Sequence, residues 1–162
     1  MEWLKILLIS MFPFSELRGA IPYAALMNIN PLEAYLLAVV GNFLPIPLLL
    51  FLLHKAETLI KRIPLLGDAY VFFVRRVEKK REIVEKYGYL GLTLFVAVPL
   101  PVTGAWTGSL MAFLMHLDRK KSMIFIFIGI LIAGSIVLTV TYGIFGIIKM
   151  LPLYLITSTS IP

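Results

Sequence analysis

The sequence predicts an all-α integral membrane protein built as two inverted repeats. Each repeat is a re-entrant helical hairpin followed by one transmembrane helix, and a cytoplasmic amphipathic helix joins the two. Three observations predict this. First, Ser122 to Ile148 is 27 residues without a charge, and Ala34 to Leu53 is a further 20 in which Asn42 is the one strongly polar side chain. About 20 such residues in a helix cross a bilayer core. Second, the charges are segregated into two basic segments. Third, two further apolar segments are broken by proline and glycine and are too short to cross. The composition agrees, with 60% hydrophobic and 15% charged residues, where a soluble domain carries about 25% charged.

The chain opens with Ile6 to Ser15, ten residues between Lys5 and Glu16, too short to span. The broken stretch SELRGAIP (residues 15–22) follows, then a second short arm from Tyr23 to Ile29. Asn28, Asn30 and Pro31 mark a turn, and the first full span runs from Ala34 to Leu53. These make repeat 1, residues 1–54. The N-terminal run is not read as a cleaved signal, because Pro13, Glu16 and Arg18 fall where a cleavage region is small and neutral.

Residues 55–86 form the connector. Pro64 and Gly67 divide it, Asp68 suits the N-cap of a helix to about Lys86, and Val71, Val74, Val77 and Val84 give that helix an apolar side. Twelve of the 15 basic residues lie in Lys55–Lys86 or in Arg119–Lys121. Short loops rich in Lys and Arg stay in the cytoplasm, so residues 55–86 and 118–121 are predicted cytoplasmic. Glu78, Glu82 and Glu85 are interleaved with the bases, which suits a solvated helix face rather than a nucleic-acid surface.

Repeat 2 covers residues 87–149, with a C-terminal tail at 150–162. Residues 87–117 carry no Asp, Glu, Lys or Arg, and Pro99, Pro101, Gly104 and Gly108 break their middle. The arms, 87–98 and 109–117, have 12 and 9 residues, the longer reaching roughly 18 Å against a core of about 30 Å. A segment that dips in and returns to the cytoplasm fits better than a span. The last span then runs outward, which inverts repeat 2 relative to repeat 1.

Two broken hairpins meeting from opposite faces place irregular backbone where it must line a cavity or be buried in protein. The predicted tip residues are Pro13, Gly19 and Pro22 in the first hairpin and Pro99, Pro101, Gly104 and Gly108 in the second. Glu16 and Arg18 sit at the first tip, where an uncompensated charge costs about 2.5–3.5 kcal/mol. Ser15 is the expected N-cap of the second arm, which would bring Arg18 to a helix N-terminus; Thr103 is the matching cap in the other hairpin. Asn42, Trp106 and Thr107 complete the predicted substrate- or proton-binding set. Arginine at two helix N-termini suits an anion, whereas Glu16 suits a proton or a cation. The competing reading is a Glu16–Arg18 salt bridge that only shapes the tip. No cofactor or metal is expected: cysteine is absent, and His54 and His116 are far apart. With Glu16 the one acid of the membrane segments and no histidine near it, an enzyme is not predicted.

ELRGAIP near the N-terminus, PLPVTGAWTG after the connector and the Gly41–Asn42 pair resemble the putative small multidrug export proteins of bacteria and archaea. Val102 stands where that pattern has a glycine. The resemblance spans nearly the whole chain and implies a membrane transporter of a small or amphiphilic substrate. The opposed hairpins also resemble DedA-like membrane proteins, which implies an alternative, translocation of polyprenyl-phosphate lipid carriers. A non-transporting accessory protein is the third reading. The expected partners are membrane lipids, a small-molecule or lipid-phosphate substrate and a second copy of the chain as a homodimer, with no nucleic acid.

Overall fold

The computed structural model describes residues 1–60, 81–99 and 103–158, and every element among them is helical. In chain order these are α1 (Glu2–Met11), α2 (Glu16–Leu26), α3 (Pro31–Phe43), α4 (Pro45–Ile60), α5 (Arg81–Ala97), α6 (Ala105–Leu114) and α7 (Arg119–Ser158). Pro64, Gly67, Asp68 and the valines of the predicted connector helix up to Val77, as well as Pro101 and Val102, lie outside the described residues.

Among the described residues two helices are long and apolar enough to cross a membrane. Leu44 is helical between α3 and α4, so one rod runs through Pro31–Leu53, 23 residues, with a mean hydropathy of 2.4. The other is Arg119–Ile147 of α7, 29 residues at 2.8. At 1.5 Å per residue both exceed a core of about 30 Å. Their capping is local chemistry: Asn30 accepts the Leu32 N–H at 2.9 Å ahead of Pro31, and Asp118 accepts the Lys121 N–H at 2.9 Å. Helices α1, α2 and α6 have 10, 11 and 10 residues, roughly half the crossing length.

The breaks differ from the expectation. Phe12–Ser15 forms the first turn, and SELRGAIP lies almost wholly inside α2. Gly19 and Pro22 are therefore helical, as is Gly108 in α6. Neither glycine bends its helix; Gly108 admits Val96 of the neighbouring helix, and Gly19 leaves room for Ser15 one turn back. A Cβ on Gly19 would lie 2.9 Å from Ser15 Cβ, and one on Gly108 would lie 2.6 Å from Val96 Cγ2. Pro22 is tolerated in a membrane helix because packed neighbours compensate for its missing N–H. Helix α5, described from Arg81, runs across residues 86 and 87, bends at Gly88 (φ 57°, ψ −131°) and buries Val84 in the core.

The two halves share packing and turn geometry. Helix α1 packs on α3 and α5 on α7, while α2 and α6 each pack on both of the long helices. A Cβ on Gly41 would meet the Leu7 carbonyl and the Ser10 hydroxyl, and one on Gly129 the Thr93 carbonyl and Val96. Helices α2 and α6 end in the same left-handed cap. Asn28 (φ 55°) and His116 (φ 52°) are the left-handed residues. The Ile29 N–H bonds the Ala24 carbonyl, and the Leu117 N–H bonds that of Ala112, the Schellman pattern. Each pair of equivalents from Ala24 and Ala112 to Gly41 and Gly129 is 88 positions apart.

At the outer end of the first pair, Tyr23 Oη donates to Glu2 at 2.7 Å and Lys5 Nζ to the same carboxyl at 2.9 Å. Tyr23 first, then Lys5, holds the Glu2 carboxyl below its ordinary 4.5. This stabilisation is present above 4.5 and is lost as the pH falls through the lowered folded value. Tyr23→Phe is expected to lower the melting temperature slightly at neutral pH. The gap to the wild type should close in acid, which thermal melts over a pH series will show.

Candidate functional site

The turns of the two helix pairs meet, and the residues that join them are Glu16 and Arg18. Glu16 opens α2 in a left-handed conformation (φ 46°), a state that costs a non-glycine residue roughly 1–2 kcal/mol. Its side chain is 5% exposed. The carboxylate accepts the Trp106 N–H at 3.3 Å, and the Ala105 N–H and the Asn42 carboxamide also bond it. Ala105 and Trp106 are the first residues of α6, so Glu16 caps that helix from the other pair. Free N–H groups and the positive end of the helix dipole favour a carboxylate there.

Gly104 makes this approach possible. Its φ is +148° and a Cβ would run into both Glu16 oxygens. Trp106 closes the turn from the other side, with its indole Nε1–H donating to the Met11 carbonyl at 3.2 Å.

Arg18 reaches the opposite end of the second pair. Nη2 donates to the Val98 carbonyl at 3.3 Å and to Thr103 Oγ1 at 3.1 Å. Val98 follows the last residue of α5, where a helix exposes carbonyls and favours a cation. The acid thus holds an N-terminus and the base a C-terminus, which explains their separation by two. On a helix such residues point about 200° apart.

Several expectations change. Arg18 does lie in the first turn of α2, but its guanidinium turns away from that N-terminus to the C-terminal end of α5. Ser15 holds the N-cap position without capping; its hydroxyl donates to the Ile9 carbonyl at 2.5 Å. Thr103 does not cap α6 either, as its hydroxyl donates to the Val98 carbonyl at 2.6 Å and Gly104 takes the cap position. Pro13 and Pro99 do sit in the turns. The Met11 and Val98 carbonyls, which complete the junction, were invisible to sequence reasoning because every residue carries a carbonyl.

A cavity of about 270 Å³ adjoins this junction. Pro13 and Phe14 line it from the first turn, Leu49 and Leu53 from α4, and Trp106, Thr107 and Leu110 from α6. Thr107 supplies its one hydroxyl, which donates to the Gly104 carbonyl at 3.3 Å. Glu16 and Arg18 are not among the lining residues. Trp106 links the two regions, since its indole faces the cavity and its N–H holds Glu16. Among the described residues no three His, Cys, Asp or Glu side chains group as a metal site would require.

Compared with known proteins, residues 16–136 match the model of a family described as "Putative small multi-drug export protein". No curated protein and no solved structure matches the chain.

Proposed function

The chain belongs to the putative small multi-drug export protein family, and from that premise we propose that this membrane protein is a transporter. It moves a small or amphiphilic substrate through a midplane site between two re-entrant hairpins, α1–α2 and α5–α6, coupled to protons through Glu16. The hairpins belong to inverted repeats, each closed by one spanning helix. The shared caps and glycine crossings support that reading. The positive-inside rule puts residues 55–86 and 118–121 in the cytoplasm of a multi-pass protein of the cell membrane. Two spans are few to seal a pathway, so the working unit is a homodimer.

One observation carries the transport reading: Glu16 and Arg18 of one hairpin hold both arms of the other. Alternating access requires the halves to part, and this bond set is what must break and re-form. The apolar cavity beside Trp106 suits an amphiphilic body. It favours such a substrate over a lipid phosphate, because Arg18, the natural anchor for a phosphate, already holds the end of α5. No observation favours the DedA-like alternative or the accessory reading over transport.

The test uses purified protein in liposomes with an imposed pH gradient. A lipophilic fluorescent cation and a polyprenyl phosphate are offered side by side to the wild type, Glu16→Gln and Arg18→Ala. The cation is expected to move, and Glu16→Gln, still folded by thermal melting, should fall to the rate of protein-free liposomes. Wild-type protein that moves neither probe, or Glu16→Gln that transports normally, refutes the reading. Movement of the polyprenyl phosphate alone would replace the proposed substrate.

A further inference from the structure

Glu16 and Asn42 are a buried polar pair with one acceptor unsatisfied. Asn42 is 1% exposed. Its carboxamide bonds the Glu16 carboxyl, while its Oδ1 has no hydrogen-bond partner among the described residues. A carboxylate only accepts, so Asn42 must offer it the amide N–H₂, which leaves Oδ1 bare. A buried acceptor without a donor is left with its desolvation uncompensated.

Packing alone does not require this arrangement. In the proposed second repeat, 88 positions on, Gly104 stands for Glu16 and Ile130 for Asn42. Ile130 is fully buried, so the equivalent helix crossing closes with an apolar side chain. The fold thus contains its own apolar version of the site, and the polar pair is confined to one half.

We propose that Glu16 and Asn42 form the proton-loading site of the transporter. The inference rests on the transport reading and adds Asn42 as the second ligand of its coupling proton. A hydronium ion passes its proton to a Glu16 oxygen, one hydronium O–H bond breaking as the carboxyl O–H forms and water remaining; the new O–H then donates to Asn42 Oδ1. A carboxamide serves both states, donating to the carboxylate and accepting from the acid. Neutral Glu16 loses its charge-assisted hold on the N-terminus of α6, so loading loosens the junction between the hairpins.

The charged surroundings favour a proton over a metal cation. The Arg18 charge lies near enough to act on Glu16, and the N-terminus of α6 adds a positive dipole end. Helix α6 contains no Asp, Glu, Lys, Arg or His. The charges of α1 and α3 are Glu2, Lys5 and Glu33, and those of α7 up to Ile148 are Arg119, Lys120 and Lys121, all near the helix starts, away from Glu16.

Infrared difference spectra of the protein in lipid vesicles, taken over a pH series, test this. A reversible carboxyl band is expected that Glu16→Gln abolishes. Asn42→Leu should move the band and shift its midpoint by about tenfold or more in proton concentration. Asn42→Thr, which keeps a donor and an acceptor, should lie between and carries the comparison if Asn42→Leu does not fold. Sodium should leave the band unchanged. A missing Glu16 band, a band indifferent to both Asn42 variants, or displacement by sodium overturns the proposal. The spectra need no transport, so a titrating band in vesicles that move nothing refutes transport and leaves the proton site. Transport with no titrating band does the reverse.

Discussion

Gly104→Ala is expected to destabilise the protein by about 2–4 kcal/mol, as the sum of overpacking and backbone strain. The added methyl would overlap both oxygens of the Glu16 carboxylate, and the backbone at φ +148° is one that side chains other than glycine's rarely adopt. Neither oxygen can withdraw easily, because Glu16 is fixed by the Trp106 and Ala105 N–H groups and by Asn42. Thermal melting in detergent reads the effect directly. A control isolates the clash from the strain: Gly88→Ala has a positive φ of 57° but nothing within 4 Å of its Cβ. It should cost only the strain, roughly 1–2 kcal/mol. Equal losses for the two variants would mean that Glu16 can move aside, and that the contact does not hold the turns together.

Arg18→Met is expected to cost about 2–4 kcal/mol, since hydrogen bonds to a charged group contribute about 1.5–3 and a buried charge left behind adds to the loss. Methionine keeps the apolar stem and removes the guanidinium from Val98 and Thr103. It also removes the nearby positive charge that acts on Glu16. The double variant Glu16→Gln with Arg18→Met should therefore be more stable than the sum of the two singles predicts, by about 1 kcal/mol or more. Strict additivity would show that the two residues hold α6 and α5 independently.

Much of the fold was legible because its signals are local. Charge-free runs marked the apolar stretches of both long helices, Pro31–Leu53 and Arg119–Ile147, within a few residues, although the helices themselves continue to Ile60 and Ser158. The turn read at Asn28, Asn30 and Pro31 marked the start of the first. The short helices were legible as too short to cross. The site was legible as a set of residue types, since an acid and a base in an apolar chain need partners. Their partners were not. Prolines and glycines look alike in sequence whether they bend a chain or admit a neighbour. SELRGAIP therefore read as a break, although Gly19 and Pro22 both lie inside a helix.

The sequence by itself determined an apolar, all-helical membrane chain with two spans, broken short segments and an acid–base pair that water would not solvate. Only the tertiary structure decided what that pair does. Glu16 caps α6 and Arg18 takes the end of α5, because carbonyls and N–H groups 80 to 90 positions away supply the charges and donors the side chains lack locally. A dipole end is created by a helix as a whole and is offered to whatever the packing brings near it.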